Sequence, residues 1–186
     1  RITETEMQAL RAQMNPHFIF NSLNSIENFI MQNEKRLASD YLNKFSRLIR
    51  GILDSSKNEM VPFEKDMEVL KLYVELEQLR FNNKFTYSTS IDEELLNKNV
   101  RVPTLLLQPY VENAIIHGLK KKKKTGLQLE ITAAVKENYI HYTVEDNGAG
   151  RAKAAAYNEE NRPDHKSVGL QITEERLRHI NGNGSS

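Results

Sequence analysis

Asn15-Pro16-His17-Phe18-Ile19-Phe20-Asn21 sets a proline, a histidine and two carboxamides inside a long helical pattern. Met7, Leu10, Met14 and Phe18 recur at three- and four-residue steps, and Leu23, Ile26 and Ile30 continue the stripe. Two local readings stand. In one, Pro16 removes a backbone N–H, crowds the carbonyl of Ala12 and kinks the helix. His17 then lies one residue past the kink, with Asn21 one turn further on the same face. An imidazole so placed suits phosphoryl transfer, because its neutral form keeps a lone pair near neutral pH. In the other, Asn15 caps a helix starting at Pro16 and His17 is an ordinary surface residue.

Outward from this stretch, a polar break at Gln32-Asn33-Glu34-Lys35 precedes a second stripe of Leu37, Tyr41, Phe45, Leu48, Ile52 and Leu53. Two amphipathic helices with a short connection predict an antiparallel hairpin. A lone hairpin buries too little, so two copies forming a four-helix bundle are expected. A third helix is read over Val61 to Phe81, with Pro62 at its start and Glu64, Asp66 and Glu68 in its first turns. From about Asn83 the period changes. Phe85 and Tyr87 alternate as in a strand, Pro103 opens a helical run from Leu105 to Leu119, and Leu127-Leu129-Ile131 and Ile140-Tyr142-Val144 read as half-buried strands around a turn at Glu137-Asn138. Leu170 to Ile180 is helical again. The division is therefore helices over 1–60, a connecting helix over 61–82 and an α+β domain over 83–186.

The chain has 186 residues, enough for one domain or two small ones. Lys plus Arg number 26 against 25 Asp plus Glu, and a net charge of +1 gives no electrostatic footprint for nucleic acid. The absence of cysteine excludes a disulfide scaffold, a zinc–thiolate site and a cysteine nucleophile. No apolar run approaches the roughly 18 residues needed to cross a bilayer. The opening Arg1-Ile2-Thr3-Glu4 has no Met and predicts a piece of something longer, with any membrane anchor upstream.

Three further constellations carry chemistry. Glu112-Asn113-Ala114-Ile115-Ile116-His117-Gly118 lies on a helix, where an Asn oxygen is a hard ligand that Mg²⁺ accepts beside phosphate oxygens and waters. It also reads as a polar stripe closed by Gly118. Asp146-Asn147-Gly148-Ala149-Gly150 follows an alternating strand. A carboxylate fixed there can accept the amino proton of adenine while the glycines admit a flat base; equally, the residues suit a tight turn. Ser167-Val168-Gly169-Leu170 opens the last helix, as a phosphate seat or as a capped helix start. The lysine run Lys120 to Lys124 reads as a solvated loop or, alternatively, as a support that draws in nucleotide phosphates.

In that order, the segments make the sequence resemble the sensor histidine kinases of the LytS/YehU type. Leu10 through Asn24 looks like the family's phospho-acceptor box, Glu77-Gln78-Leu79-Arg80-Phe81 like the helix before its ATPase domain, Pro103 through Gly118 like its Asn box and Val144 through Gly150 like its first glycine box. The resemblance implies a dimerising helical hairpin followed by an α/β-sandwich ATP-binding domain of the GHKL (Bergerat) type. It implies that His17 receives the γ-phosphoryl of ATP, supported by Asn21, and that Asn113 holds Mg²⁺. It implies that His117 faces the phosphates, that Asp146 reads the adenine amino group, and that Gly148, Gly150, Gly169 and Leu170 shape the pocket and its lid over 151–166. The implied partners are a second copy of the chain and the receiver domain of a response regulator. The implied location is the cytoplasmic side of an inner-membrane-anchored sensor.

The chain departs from the family pattern in three places. Ser167 stands where a Gly is usual. The chain stops at Asn181-Gly182-Asn183-Gly184-Ser185-Ser186, so its sheet is expected to be incomplete. No carboxylate follows His17 directly, which leaves the general base unassigned, with Glu112 a candidate. One rival keeps the fold as a nucleotide-sensing dimeric adaptor that never transfers phosphate. Another, an ATP-hydrolysing machine of the chaperone or topoisomerase kind, usually needs an acidic residue one turn before the metal-binding Asn, where this chain has Pro109.

Overall fold

Tyr41, Leu48 and Ile52 share one face of the second helical stretch and are fully buried, and the N-terminal half is organised around them. The structure is a computed structural model that describes residues 16–97, 99–119, 126–136 and 139–148. Helix α1 (Pro16–Met31) and helix α2 (Lys35–Ser56) run antiparallel. The ring pairs Phe29–Tyr41 and Phe18–Phe45, with centroids 5.8 and 6.4 Å apart, record that direction. The turn between them closes through Asn33, at φ 61°, a left-handed conformation that Asn tolerates better than most residues. The Glu34 N–H donates to the Phe29 carbonyl at 2.8 Å.

Strand β1 (Met60–Pro62) leads into helix α3 (Phe63–Arg80). Val69, Leu70, Leu72, Tyr73, Val74 and Leu76 are all buried, and a helix apolar around its circumference must be covered on more than one side. One side meets the hairpin. Phe18 and Tyr73 lie 4.9 Å apart, and Lys44 pairs with Glu75 at 2.6 Å. A Cβ at Gly51 would stand 2.9 Å from Cγ2 of Val69, so the close approach of α2 to α3 requires glycine there. The other side meets strand β2 (Phe85–Ile91), helix α4 (Glu93–Asn97) and strand β3 (Arg101–Pro103). Helix α5 (Gln108–Asn113), a π-helical segment (Ala114–Leu119) and strands β4 (Leu127–Lys136) and β5 (Tyr139–Asp146) complete the described elements.

The strands form two sheets. β1 and β3 pair antiparallel, and β2, β4 and β5 form a sheet in that order, parallel between β2 and β4 and antiparallel between β4 and β5. The register sets Phe85 beside Leu127 and Ile131 beside Val144. The period of two therefore gathers Phe85, Leu127, Leu129, Ile131 and Ala133 on the buried face. Ile140, Tyr142 and Val144 extend it, and Tyr142 stacks on Phe63 at 6.4 Å. The apolar core runs without a break from Phe18 to Ala133.

Two expectations are corrected. The third helix begins at Phe63 rather than Val61, because Val61 is taken into β1 opposite Val102 and Pro62 stands just before the helix. Pro103 closes β3 instead of opening a helix. Leu105, at φ 55°, breaks the chain's direction, and α5 takes Pro109 in its first turn, where the missing N–H has no intrahelical partner to lose. The segment before Pro16, the lysine run, the turn at Glu137-Asn138 and the helix expected over Leu170 to Ile180 lie outside the described residues.

Burial raises the phenols of Tyr41, Tyr73, Tyr87 and Tyr142 above the usual tyrosine value, Tyr87 to about 12. Above pH 10 an unfolded chain releases these protons while the folded chain keeps them. Unfolding is then favoured, and stability falls with rising pH by up to about 1.4 kcal/mol per pH unit per tyrosine. The melting temperature should hold to about pH 10 and drop steeply beyond it. Phenolate absorbance of these four rings should rise together with unfolding, and early, gradual ionisation would contradict the packing.

Candidate functional site

On α1, Phe18 and Ser22 turn into the core, which leaves His17 on the exposed side. The Asn21 side chain reaches back one turn, and its Nδ2 donates to Nδ1 of His17 at 2.9 Å. The hairpin also leaves large apolar side chains exposed. Phe20 is 66% exposed, Ile30 61% and Met31 79%, with Leu23, Leu37 and Leu42 also exposed, far more than a hairpin with a finished core leaves outside.

Asn113 is the last residue of α5 and is half-buried, as is His117 four residues on. Val111 and Ile115, both fully buried, anchor this stretch. Wider π-helical turns begin at Ala114, so His117 is rotated from the position a continuous α-helix would give it. The segment bearing His117 packs on β4 and β5.

The entry to α5 is held from α3. Asp66, 5% exposed, accepts the Leu105 N–H at Oδ1, 2.7 Å away. A leucine at φ 55° costs about 1–3 kcal/mol and persists where its surroundings hold it. The sequence reading gave Asp66 only a helix-start role. Asp66→Ala should cost about 1–3 kcal/mol in chemical denaturation. It should also increase amide exchange at Leu105 more than at Leu76. Unchanged exchange at Leu105 would refute the latch.

Asp146 ends β5, exposed, on the same strand face as Tyr142 and Val144 and opposite Leu129. The turn after it is built from side chains. Gly148 N–H donates to Asp146 Oδ1 at 2.8 Å, Asn147 Oδ1 accepts Gln128 N–H at 2.8 Å, and Asn147 Nδ2 donates to the Gly126 carbonyl at 2.9 Å. The carboxylate thus stands at a fixed strand end, in the sheet on which the π-helical segment packs.

The π-helical segment that bears His117 packs on the sheet whose strand β5 ends at Asp146, and His17 lies on a separate helix. α3 lies between these regions. Tyr73 touches Phe18, the neighbour of His17, and its phenol is raised by burial first, then by the charges of Glu77 and of Glu112, the neighbour of Asn113. Sequence periodicity assigns Tyr73 to a buried face and carries no sign of this intermediate position. Gly150, Gly169, Leu170, Ser167 and the 151–166 segment lie outside the described residues. Among the described residues, no group of three or more His, Asp or Glu is placed to hold a metal by itself, and no helix is long and apolar enough to cross a membrane.

Residues 5–85 match the histidine kinase family. The chain is 34% identical over 182 residues to sensor histidine kinase YpdA of Escherichia coli (strain K12), a match covering 97% of this chain and 31% of that protein. It is 34% identical over 149 residues to sensor protein LytS of Bacillus cereus, covering 80% of this chain and 25% of that one. The chain therefore spans about a quarter to a third of these relatives. Among solved structures, the histidine kinase domain of the blue-light activated histidine kinase from Erythrobacter litoralis EL346 superimposes with a TM-score of 0.46 at 13% identity, over 87% of this chain and 82% of that one.

Proposed function

The chain belongs to the LytS-type sensor histidine kinases, and from that premise we propose that it is the part of a two-component sensor that binds Mg-ATP and phosphorylates His17. The observation that carries this reading is the exposed His17 ring, held by Asn21 on a helix that buries Phe18 and Ser22. A histidine serving the core would turn inward with Phe18, and this one does not.

The donor set fits a magnesium nucleotide. Asn113 offers one hard amide oxygen, which suits Mg²⁺ when its remaining ligands come from phosphates and water. When bound, Mg²⁺ supplies neutralisation of charge on the phosphates. Asp146, fixed at its strand end by the Asn147 bonds, supplies an acceptor for the adenine amino group. Gly148, Gly150, Gly169 and Leu170 line and cover the pocket in this reading, with 151–166 as its lid, and His117 adds a polar group from the π-helical segment. The C-terminal half is then a GHKL-type ATP-binding domain from residue 83, joined by the 61–82 helix to the 1–60 acceptor helices.

The exposed Phe20, Leu23, Ile30 and Met31 support a homodimer, since two such faces complete a four-helix bundle. The phosphoryl group passes on to an Asp of a response-regulator receiver domain. In the complete sensor, the unit lies on the cytoplasmic side of an inner-membrane anchor. The test is a phosphotransfer time course with the complete protein. Label from γ-labelled ATP should appear first on the kinase, acid-labile, and then leave it as a purified receiver domain gains an acyl phosphate. Nucleotide binding with no label on either partner would establish a non-catalytic nucleotide sensor instead.

A further inference from the structure

This inference rests on the assignment of His17 as phosphoryl acceptor and concerns what prepares its ring. A neutral imidazole has one N–H and one lone pair, so whichever nitrogen carries the proton cannot attack. The group bonded to Nδ1 therefore decides the state of Nε2. Here that group is a carboxamide, which donates from one end and accepts at the other. In this structure the nitrogen end of Asn21 faces Nδ1 at 2.9 Å. That bond occupies the Nδ1 lone pair and leaves the ring proton on Nε2. A half-turn of the amide presents Oδ1, which accepts Nδ1–H and frees the lone pair of Nε2.

We propose that Asn21 is the positioning residue that sets the tautomer of His17, with the amide orientation seen here holding the ring unable to attack and the reversed orientation arming Nε2. The surroundings explain why this group comes from the next turn. Phe18, directly after His17, is 5% exposed and packs on Tyr73 at 4.9 Å, so the adjacent position is committed to the core. Residue 21 is the helical neighbour at i+4, and its short side chain reaches the ring.

In the armed state, the Nε2 lone pair forms a bond to the γ-phosphorus of ATP. The bond from that phosphorus to the β,γ-bridging oxygen breaks, and ADP leaves with the electron pair. The ring is then cationic, and the proton on Nδ1, held by Asn21 Oδ1, passes to solvent.

The test uses Asn21→Asp, an acceptor at both ends, and Asn21→Ala, which has neither function. Ring ¹⁵N shifts of His17 are recorded on the complete protein without nucleotide, at a pH where the ring is neutral. Wild type should show Nε2–H. Asn21→Asp should show Nδ1–H and should label from γ-labelled ATP about tenfold faster than Asn21→Ala. An Asp variant that keeps the Nε2–H tautomer, or that labels no faster than the Ala variant, overturns the proposal. A tautomer change in Asn21→Asp with no labelling in any variant, wild type included, overturns the kinase assignment on which the proposal depends.

Discussion

His17→Ala should incorporate no acid-labile phosphate from γ-labelled ATP, a loss beyond the detection limit, while binding adenine nucleotide as wild type does. The ring is the only group lost, and it stands outside the core that Phe18 and Ser22 help to fill. An exposed substitution of this kind changes stability by about 0.5 kcal/mol or less. A folded, nucleotide-binding and unlabelled variant is therefore the expected result. Retained labelling would mean that another group accepts the phosphoryl, and would remove the functional meaning of the His17–Asn21 bond.

Asn113→Ala should show the opposite split. His17 and its helix are untouched, yet labelling should fall by at least about 100-fold, because the variant loses the hard oxygen ligand proposed for Mg²⁺ beside the phosphates. Calorimetry should find the loss concentrated in magnesium-dependent binding of ATP, with adenosine binding, for which Asp146 is the proposed contact, nearly unchanged. Asn113 closes α5 beside the fully buried Val111 and Ile115, so the helix itself should persist. Equal weakening of ATP and adenosine would point to a damaged α5 rather than a lost ligand.

Much of this arrangement is legible in the residues. The hairpin is written as two helical stripes with a polar break, and the break falls where Asn33 turns the chain. Asp146 at the end of an alternating strand is found at the end of β5. The illegible parts have physical causes. β1 and β3 are three residues each, too short for a period of two to register, and what holds them is the pairing of Val61 with Val102 across 41 positions. Pro103 resembles a helix start because Leu105 to Leu107 are good helix formers. The latch from Asp66 to the Leu105 N–H lies 39 positions away in the chain and overrides that preference. The parallel pairing of β2 with β4 is likewise a long-range choice, made by which faces can share one core. At the site, the sequence places His17 and Asn21 on one helical face, but which end of a carboxamide meets which ring nitrogen is a matter of coordinates alone.

The most direct measurement is to map the phosphoryl group. The complete protein is incubated with Mg-ATP, digested under alkaline conditions and sequenced by mass spectrometry. The chain has five histidines. The phosphoramidate should lie on the peptide containing His17 and nowhere else. Label on the peptide of His117, His141, His165 or His179, or acid-stable label on a hydroxyl side chain, would contradict the account.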